Sequence, residues 1–287
     1  CLENNIQWYP LRYNKKPPFL STIFDFYKMI KLAKELHIKH GFSLIHCRSY
    51  ISSLVGLKFN RLYGIPFLFD MRGFWADERV EGGLWNLKNP FYKLVYFYFK
   101  RKEKQFLLES SHIISLTYNG KKNILKLPSF THLESNISVI PCCTDLNLFK
   151  PVKRDSDSFT IGYLGSLGTW YMIKEMLVFF KKIKNKIPNS KFHFLTKDDS
   201  EIIFTYCKEI GINRKYILVG ESDRKDIPFQ TRNWNFSLFF IKPSYSKLFS
   251  SPTKQGELMA MGIPIICNSG VGDVDTIVKK YSSGTIV

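Results

Sequence analysis

Ser250-Ser251-Pro252-Thr253-Lys254-Gln255-Gly256-Glu257-Leu258-Met259-Ala260-Met261-Gly262-Ile263-Pro264-Ile265-Ile266 reads as a loop, a short helix, a Gly-Ile-Pro turn and a buried strand. Pro252 suits the first helical turn, where its missing N–H is no loss. Ser250 or Ser251 is the expected cap. Gly262 takes the left-handed conformation that stops a helix. Lys254 and Glu257, three apart, project from one face. The helix start offers unpaired N–H groups and partial positive charge, and Lys254 adds a full charge beside them. That arrangement suits a phosphate. A carboxylate at Glu257 can accept hydrogen bonds from two sugar hydroxyls. The competing reading is a surface helix carrying an exposed Lys–Glu pair worth a few tenths of a kcal/mol.

Upstream, strands and helices alternate. Phe159–Leu164 reads as a strand, followed by the turn Gly165-Ser166-Leu167-Gly168-Thr169-Trp170-Tyr171. A helix comes next, apolar at Ile173, Met176, Leu177, Phe180, Ile183 and Ile187. A strand, a glycine turn and a helix let a backbone approach a phosphate closely, although Gly-x-x-Gly alone also fits a plain βα turn. Trp170 is placed to stack on a ring. Further strands are expected at 191–195, 216–219 and 236–241, with helices at 200–210 and from Asp226 or Ile227. Asn268–Asp273 is a second glycine-rich turn.

The first half has the same rhythm. Ile6–Tyr9 alternates like a strand, and Lys15–Pro18 reads as a basic turn. A helix capped by Ser21 or Thr22 runs to Gly41. Leu44–Cys47 is a short buried strand, Ser49–Tyr63 a helix and Phe67–Asp70 a strand. In such parallel sheets ligands gather beyond the carboxyl ends of the strands, which draws attention to His46-Cys47-Arg48 and Asp70-Met71-Arg72-Gly73. Arg72 can pair with a phosphate or an acidic acceptor; a buried Asp–Arg pair bracing the loop is the plainer alternative. Phe74–Gly83 is read as a long functional loop. Pro90–Ser110 is a helix whose aromatic run, Phe91–Phe99, precedes Lys100-Arg101-Lys102-Glu103-Lys104. That pattern suits an anionic bilayer, but the preferred reading is a core helix with a solvated basic end. Strands at 112–116 and 137–140 flank a helix capped by Thr117 and Asn119.

Several of these stretches carry a resemblance. Ser-Pro-Thr-Lys-x-x-Glu at 251–257 resembles the nucleotide-binding segment of retaining family 4 glycosyltransferases of the GT-B type, in the form used by one bacterial branch. Pro141–Pro151 is similar to that family's crossover between domains, matching at Asp145, Phe149 and Pro151, with Cys142 and Cys143 replacing Asn and Gly. The resemblance implies a fold of two facing Rossmann-like domains, parallel sheets flanked by helices, with the site between them. It places Glu257 on the ribose and Gly220–Arg224 near the base. Two departures stand out: Phe249 replaces a sugar-contacting glutamate, and Asp70 replaces a histidine.

Composition narrows the classes. The 287 residues are 45% hydrophobic, 16% aromatic and 23% charged, with 42 basic and 24 acidic side chains and a net charge of +18. That charge favours polyanions: nucleotide diphosphates, nucleic acid or an anionic membrane. The six scattered cysteines fit neither a zinc knuckle nor an evident disulfide framework and suit a reducing compartment. Asp155-x-Asp157 sits in a hydrophilic linker and is read as solvated rather than metal-binding. No Gly-Lys-Ser/Thr phosphate loop, His-Glu-x-x-His or Gly-x-Ser-x-Gly is present. The start at Cys1 and the stop after Gly284–Val287 suggest a fragment lacking its first βα unit.

The expectation is an α/β chain with an acceptor-side domain at 1–150, a linker at 151–158 and a nucleotide-sugar domain at 159–287. Its activity would be sugar transfer from a nucleotide-sugar to a hydroxyl, with retention, in bacterial surface polysaccharide or glycolipid assembly. Lys254, Arg72 and Asp70 are the candidate catalytic residues. Gly165, Ser166, Gly168, Ser251, Thr253, Lys254 and Glu257 are the candidate donor-binding residues. No cofactor or metal is required. Partners are the donor, a saccharide or lipid-linked acceptor and, as an option, an anionic membrane at the inner face of the plasma membrane; nucleic acid is not expected, and the location is cytoplasmic. The alternatives are a nucleotide-sugar 2-epimerase of the same fold and a non-enzymatic basic membrane or nucleic-acid binding protein.

Overall fold

A computed structural model describes residues 6–14 and 20–287. The basic turn expected at 15–18 and Cys1 lie outside the described residues. The elements run α1 (Leu20–His40), β1 (Ile45–Arg48), α2 (Ser49–Tyr63), β2 (Phe67–Met71), α3 (Trp75–Glu81), α4 (Pro90–Glu109), β3 (His112–Ser115), α5 (Tyr118–Leu125) and β4 (Ile137–Val139). Then come β5 (Thr160–Leu164), α6 (Ile173–Lys186), β6 (Lys191–Leu195), α7 (Glu201–Ile210), β7 (Ile217–Gly220), α8 (Ile227–Thr231), β8 (Trp234–Phe239), α9 (Thr253–Ala260), β9 (Ile265–Cys267), α10 (Val274–Lys280) and β10 (Gly284–Ile286).

The strands form two sheets, ordered β1-β2-β3-β4 and β10-β9-β8-β5-β6-β7. Every pairing in the six-stranded sheet is parallel. By internal contacts the chain forms two compact units. The first is Cys1–Met71 with Phe97–Ile114, and the second is Arg72–Tyr96 with Ser115–Val287.

In the first unit, β1 and β2 pair in parallel from Ile45↔Phe67 to Arg48↔Asp70. The helix α2 lies so close to them that a Cβ on Gly56 would sit 2.5 Å from Cys47 Sγ and 2.9 Å from the Phe67 ring. Only Cys47 of β1 is buried, so this strand lies at the margin of the core rather than within it. Its thiol is pushed up to about 12 by burial, as expected of an inert apolar cysteine. Ile6–Tyr9 is not a strand, and Trp8 is 72% exposed: alternation supplies no partner, and a lone strand has nothing to pair with.

The aromatic run of α4 also departs from expectation. Phe91, Leu94, Phe97 and Tyr98 are exposed, whereas Glu103, Phe106 and Leu107 from the later half are buried. Glu103 is held by the Tyr50 hydroxyl and by Lys100 Nζ at 2.6 Å, so the charged segment is partly internal.

In the second unit, α6 buries Ile173, Met176, Leu177 and Phe180, the spacing expected of an amphipathic helix. Gly162 in β5 is required by the Trp234 ring, which occupies the place of its missing Cβ. Asp155 is not simply solvated: Arg232 and Asn233 hold its carboxylate and staple the segment before β5. Residues 74–83 hold α3 rather than a loop.

Candidate active site

The first strand of the six-stranded sheet, β5, has β6 on one side and β8 on the other. The chain therefore reverses its direction of travel between β5 and β8, and ligands of open parallel sheets bind outside the carboxyl ends at such a point. The turn after β5 is pinned there. Met172 N–H donates to Phe240 O and Lys242 N–H to Trp170 O, at 3.0 and 2.8 Å. Gly165 has φ +132°, and a Cβ on it would lie 2.5 Å from Lys254 Nζ. Glycine at 165 thus leaves room for the lysine, and the two groups expected to meet a diphosphate are neighbours.

Lys254 belongs to the first turn of α9. Its ammonium is buried and makes no hydrogen bond. The rings of Tyr171, Tyr163 and Phe239 surround it, with centroids 3.9, 4.6 and 5.9 Å away. Desolvation pulls its pKa down from the ordinary lysine value to about 7, while Glu257 pulls the other way. The full charge expected from sequence is therefore only partly present at neutral pH, because the aromatic walls exclude water. A buried cation without a hydrogen-bond partner is costly unless a ligand supplies one.

The helix start differs in detail from the expectation. Pro252 occupies the cap position and no side chain caps α9. Ser251 Oγ instead accepts from Cys142 N–H at 3.1 Å. Thr253 is exposed at the first helical position. Gly262, with φ +71°, follows the last turn as expected.

Glu257 is buried, and its Oε1 lies 2.6 Å from Arg224 Nη1, an ion pair without hydrogen-bond alignment. The Arg224 guanidinium also lies 4.8 Å above Phe149, which joins the crossover to the site. Sequence reasoning noted the segment around Arg224 but gave this side chain no role. Asp198 was missed altogether; its carboxylate accepts from Leu167 N–H at 2.5 Å and shapes the Gly165–Gly168 turn. A Thr-x-Asp after β6 is too common to single out. Ser166 offers its carbonyl to the Tyr163 hydroxyl, and Gly168 stands in open space. A cavity of about 240 Å³ lies past β5, β6 and β7, lined by Gly165, Ser166, Thr196, Lys197, Asp198 and Ser222 among others.

Arg72 reaches the start of α9 indirectly. Its Nη2 is 3.6 Å from Cys142 Sγ, and Cys142 in turn binds Ser251. Asp70 belongs to the first unit, where its Oδ2 is 3.5 Å from His46 Nε2. Phe249, in the place of the family's glutamate, is fully buried against Phe74, with ring centroids 4.4 Å apart.

Two parallel sheets flanked by helices, with a cationic helix start beside a glycine turn past the strand ends, define a GT-B-like α/β protein. Residues 145–287 match the family model described as Glycosyl transferases group 1, a span containing every strand of the six-stranded sheet. The second half of the chain thus matches a glycosyltransferase family model. A search of curated sequences finds no match. Among solved structures, the chain is similar to sucrose-phosphate synthase from Thermosynechococcus elongatus (TM-score 0.70, 17% identity, covering 95% of this chain and 67% of that one). It is similar to Anabaena HepE in complex with UDP and glucose (TM-score 0.61, 12% identity, 96% and 70% covered). It also resembles a putative UDP-N-acetylglucosamine 2-epimerase from Listeria monocytogenes (TM-score 0.55, 11% identity, 94% and 68% covered). These likenesses speak for the fold, which both chemistries share.

Proposed function

We propose that this protein is a retaining glycosyltransferase that moves a sugar from a nucleotide-sugar to a hydroxyl of a saccharide or lipid-linked acceptor, in bacterial surface polysaccharide or glycolipid assembly. The observation that carries the reading is the Lys254 ammonium: buried, without a hydrogen bond, and against Gly165 past the strand ends. In the reaction the bond from the anomeric carbon to the diphosphate breaks and its electron pair leaves with the nucleotide. The growing charge needs fixed donors. Lys254, the N–H groups near Thr253 and the Gly165–Gly168 turn with Ser166 supply them, so the reading requires no metal. Glu257, oriented by Arg224, anchors the ribose. Ser251 sets the helix start, and Arg72 and Asp70 act on the reacting sugar or its acceptor. The working domains are 1–150 and 159–287, joined by 151–158. The location is cytoplasmic, with the exposed aromatics of α4 and the basic surface favouring peripheral attachment to an anionic membrane.

A thermal-shift screen of UDP, GDP, ADP and CMP tests donor binding, since a ligand of the folded state raises the melting point. Lys254→Ala should then cost about 10²–10³ in turnover, typical of losing one oxyanion-type donor. Turnover within a few-fold of wild type would remove Lys254 from the mechanism. Conversion of the donor sugar without any acceptor would favour an epimerase instead.

A further inference from the structure

A second cavity, of about 280 Å³, lies in the second unit, lined by Trp75, Glu78, Arg79, Gly82 and Leu84 from α3 and its following turn, and by Thr169 and Trp170. Those last two residues directly follow Gly168. The donor reading uses none of this wall.

The construction of the wall is specific. Gly82 has no side chain, and a Cβ there would lie 3.0 Å from the Trp170 ring; its absence lets the indole close against α3. Lys247 Nζ lies 3.8 Å from the Trp170 ring centroid and 2.7 Å from Glu78 Oε1, fixing both. Glu81 accepts from Tyr245 and Ser246 N–H at 3.1 and 3.0 Å, which ties α3 to the segment before α9. The Arg79 guanidinium lies 5.1 Å from the Trp75 ring and makes no hydrogen bond or ion pair among the described residues. A half-buried guanidinium with five idle donors beside two indoles and a carboxylate is a recognition surface in search of acceptors.

Size and chemistry select the ligand class. The volume falls just under the ~300–1,000 Å³ of ordinary small-molecule clefts, enough for one sugar ring. Indoles offer apolar faces to the C–H side of a pyranose. Arg79 donates to hydroxyl oxygens while Glu78 accepts from hydroxyls.

We propose that this cavity is a saccharide subsite holding a pyranose ring of the acceptor, with Arg79 and Glu78 on its hydroxyls and Trp75 and Trp170 against its apolar face. The assignment rests on the glycosyl-transfer reading for its role, but binding is testable without it. Saturation-transfer NMR with methyl glucopyranoside, galactopyranoside, mannopyranoside and N-acetylglucosaminide should show ring-proton saturation from at least one. Arg79→Ala should weaken that binding about tenfold, the loss of one charge-assisted hydrogen bond. Leu84→Trp, which fills the cavity from an exposed position, should abolish it. The melting shift given by a nucleoside diphosphate on the same samples reports folding and the donor site independently. No saturation from any glycoside, or full saturation in both variants, overturns the subsite whether or not the nucleotide binds.

Discussion

Lys254 is a cation placed where water cannot reach it. In the unfolded chain it stays protonated to about pH 10.5, whereas in the folded protein it loses its proton near pH 7. Between those values the unfolded chain holds the extra proton, so this group makes stability rise with pH across that window and penalises the folded state fully below it. A bound diphosphate reverses the balance by stabilising the ammonium. Nucleotide binding should therefore take up close to one proton at pH 8, and affinity should fall as pH rises above about 7. Calorimetry in buffers of different ionisation enthalpy reads the uptake; a heat independent of buffer would mean that Lys254 does not meet the phosphates. The neighbours that face it are Glu257, Tyr163 and Tyr171, and burial pushes both tyrosines up, leaving Glu257 as the opposing charge.

At the scale of elements, the segment before α9 is stitched in place by two others. Thr117 Oγ1 donates to Leu248 O at 2.6 Å, while Asn119 Nδ2 donates to Gly272 O at 2.7 Å. The Asp273 carboxylate accepts from Tyr118 and Asn119 N–H, so the first turn of α5 binds an anion supplied by the chain itself. Gly272 N–H donates to Lys247 O at 2.9 Å, with φ +46° and the Ser250 carbonyl where a Cβ would stand. Gly272→Ala must move that carbonyl, and we expect a loss of about 2–4 kcal/mol, of the order seen for strain at a special backbone position. Nucleotide binding should weaken with it, because Ser250 leads into α9. A melting point within a degree of wild type would show that the loop yields freely. The same scale explains α3. Seven residues with acidic groups in the first turn look like a charged loop, and the contacts that make them a helix, such as Glu81 with the backbone of Tyr245 and Ser246, lie more than 160 positions away.

For the whole molecule, a net charge of +18 and exposed aromatics on α4 favour an anionic surface. No helix among the described residues is long and apolar enough to cross a membrane. Sedimentation with phosphatidylglycerol vesicles should retain the protein at low salt and release it as screening sets in above ~0.1 M. Equal retention by purely zwitterionic vesicles would make the basic surface irrelevant. Phe97→Glu should weaken retention further if the exposed ring enters the interface.

Sequence alone determined the alternation of strands and helices, the limits of α2 and β6 to the residue, the glycine stop after α9 and the pairing of a lysine with a glycine turn. Those properties follow from local periodicity and from the few residues able to adopt special backbone angles. Tertiary structure decided the rest. It turned Phe74–Gly83 from a loop into a helix, left Ile6–Tyr9 unpaired, exposed the aromatic run of α4 and gave Ser251 to Cys142 instead of to its own helix. Above all it gathered three aromatic rings around Lys254. Burial is a sum over distant segments, so the charge carried by that lysine could not be read from its neighbours in the chain.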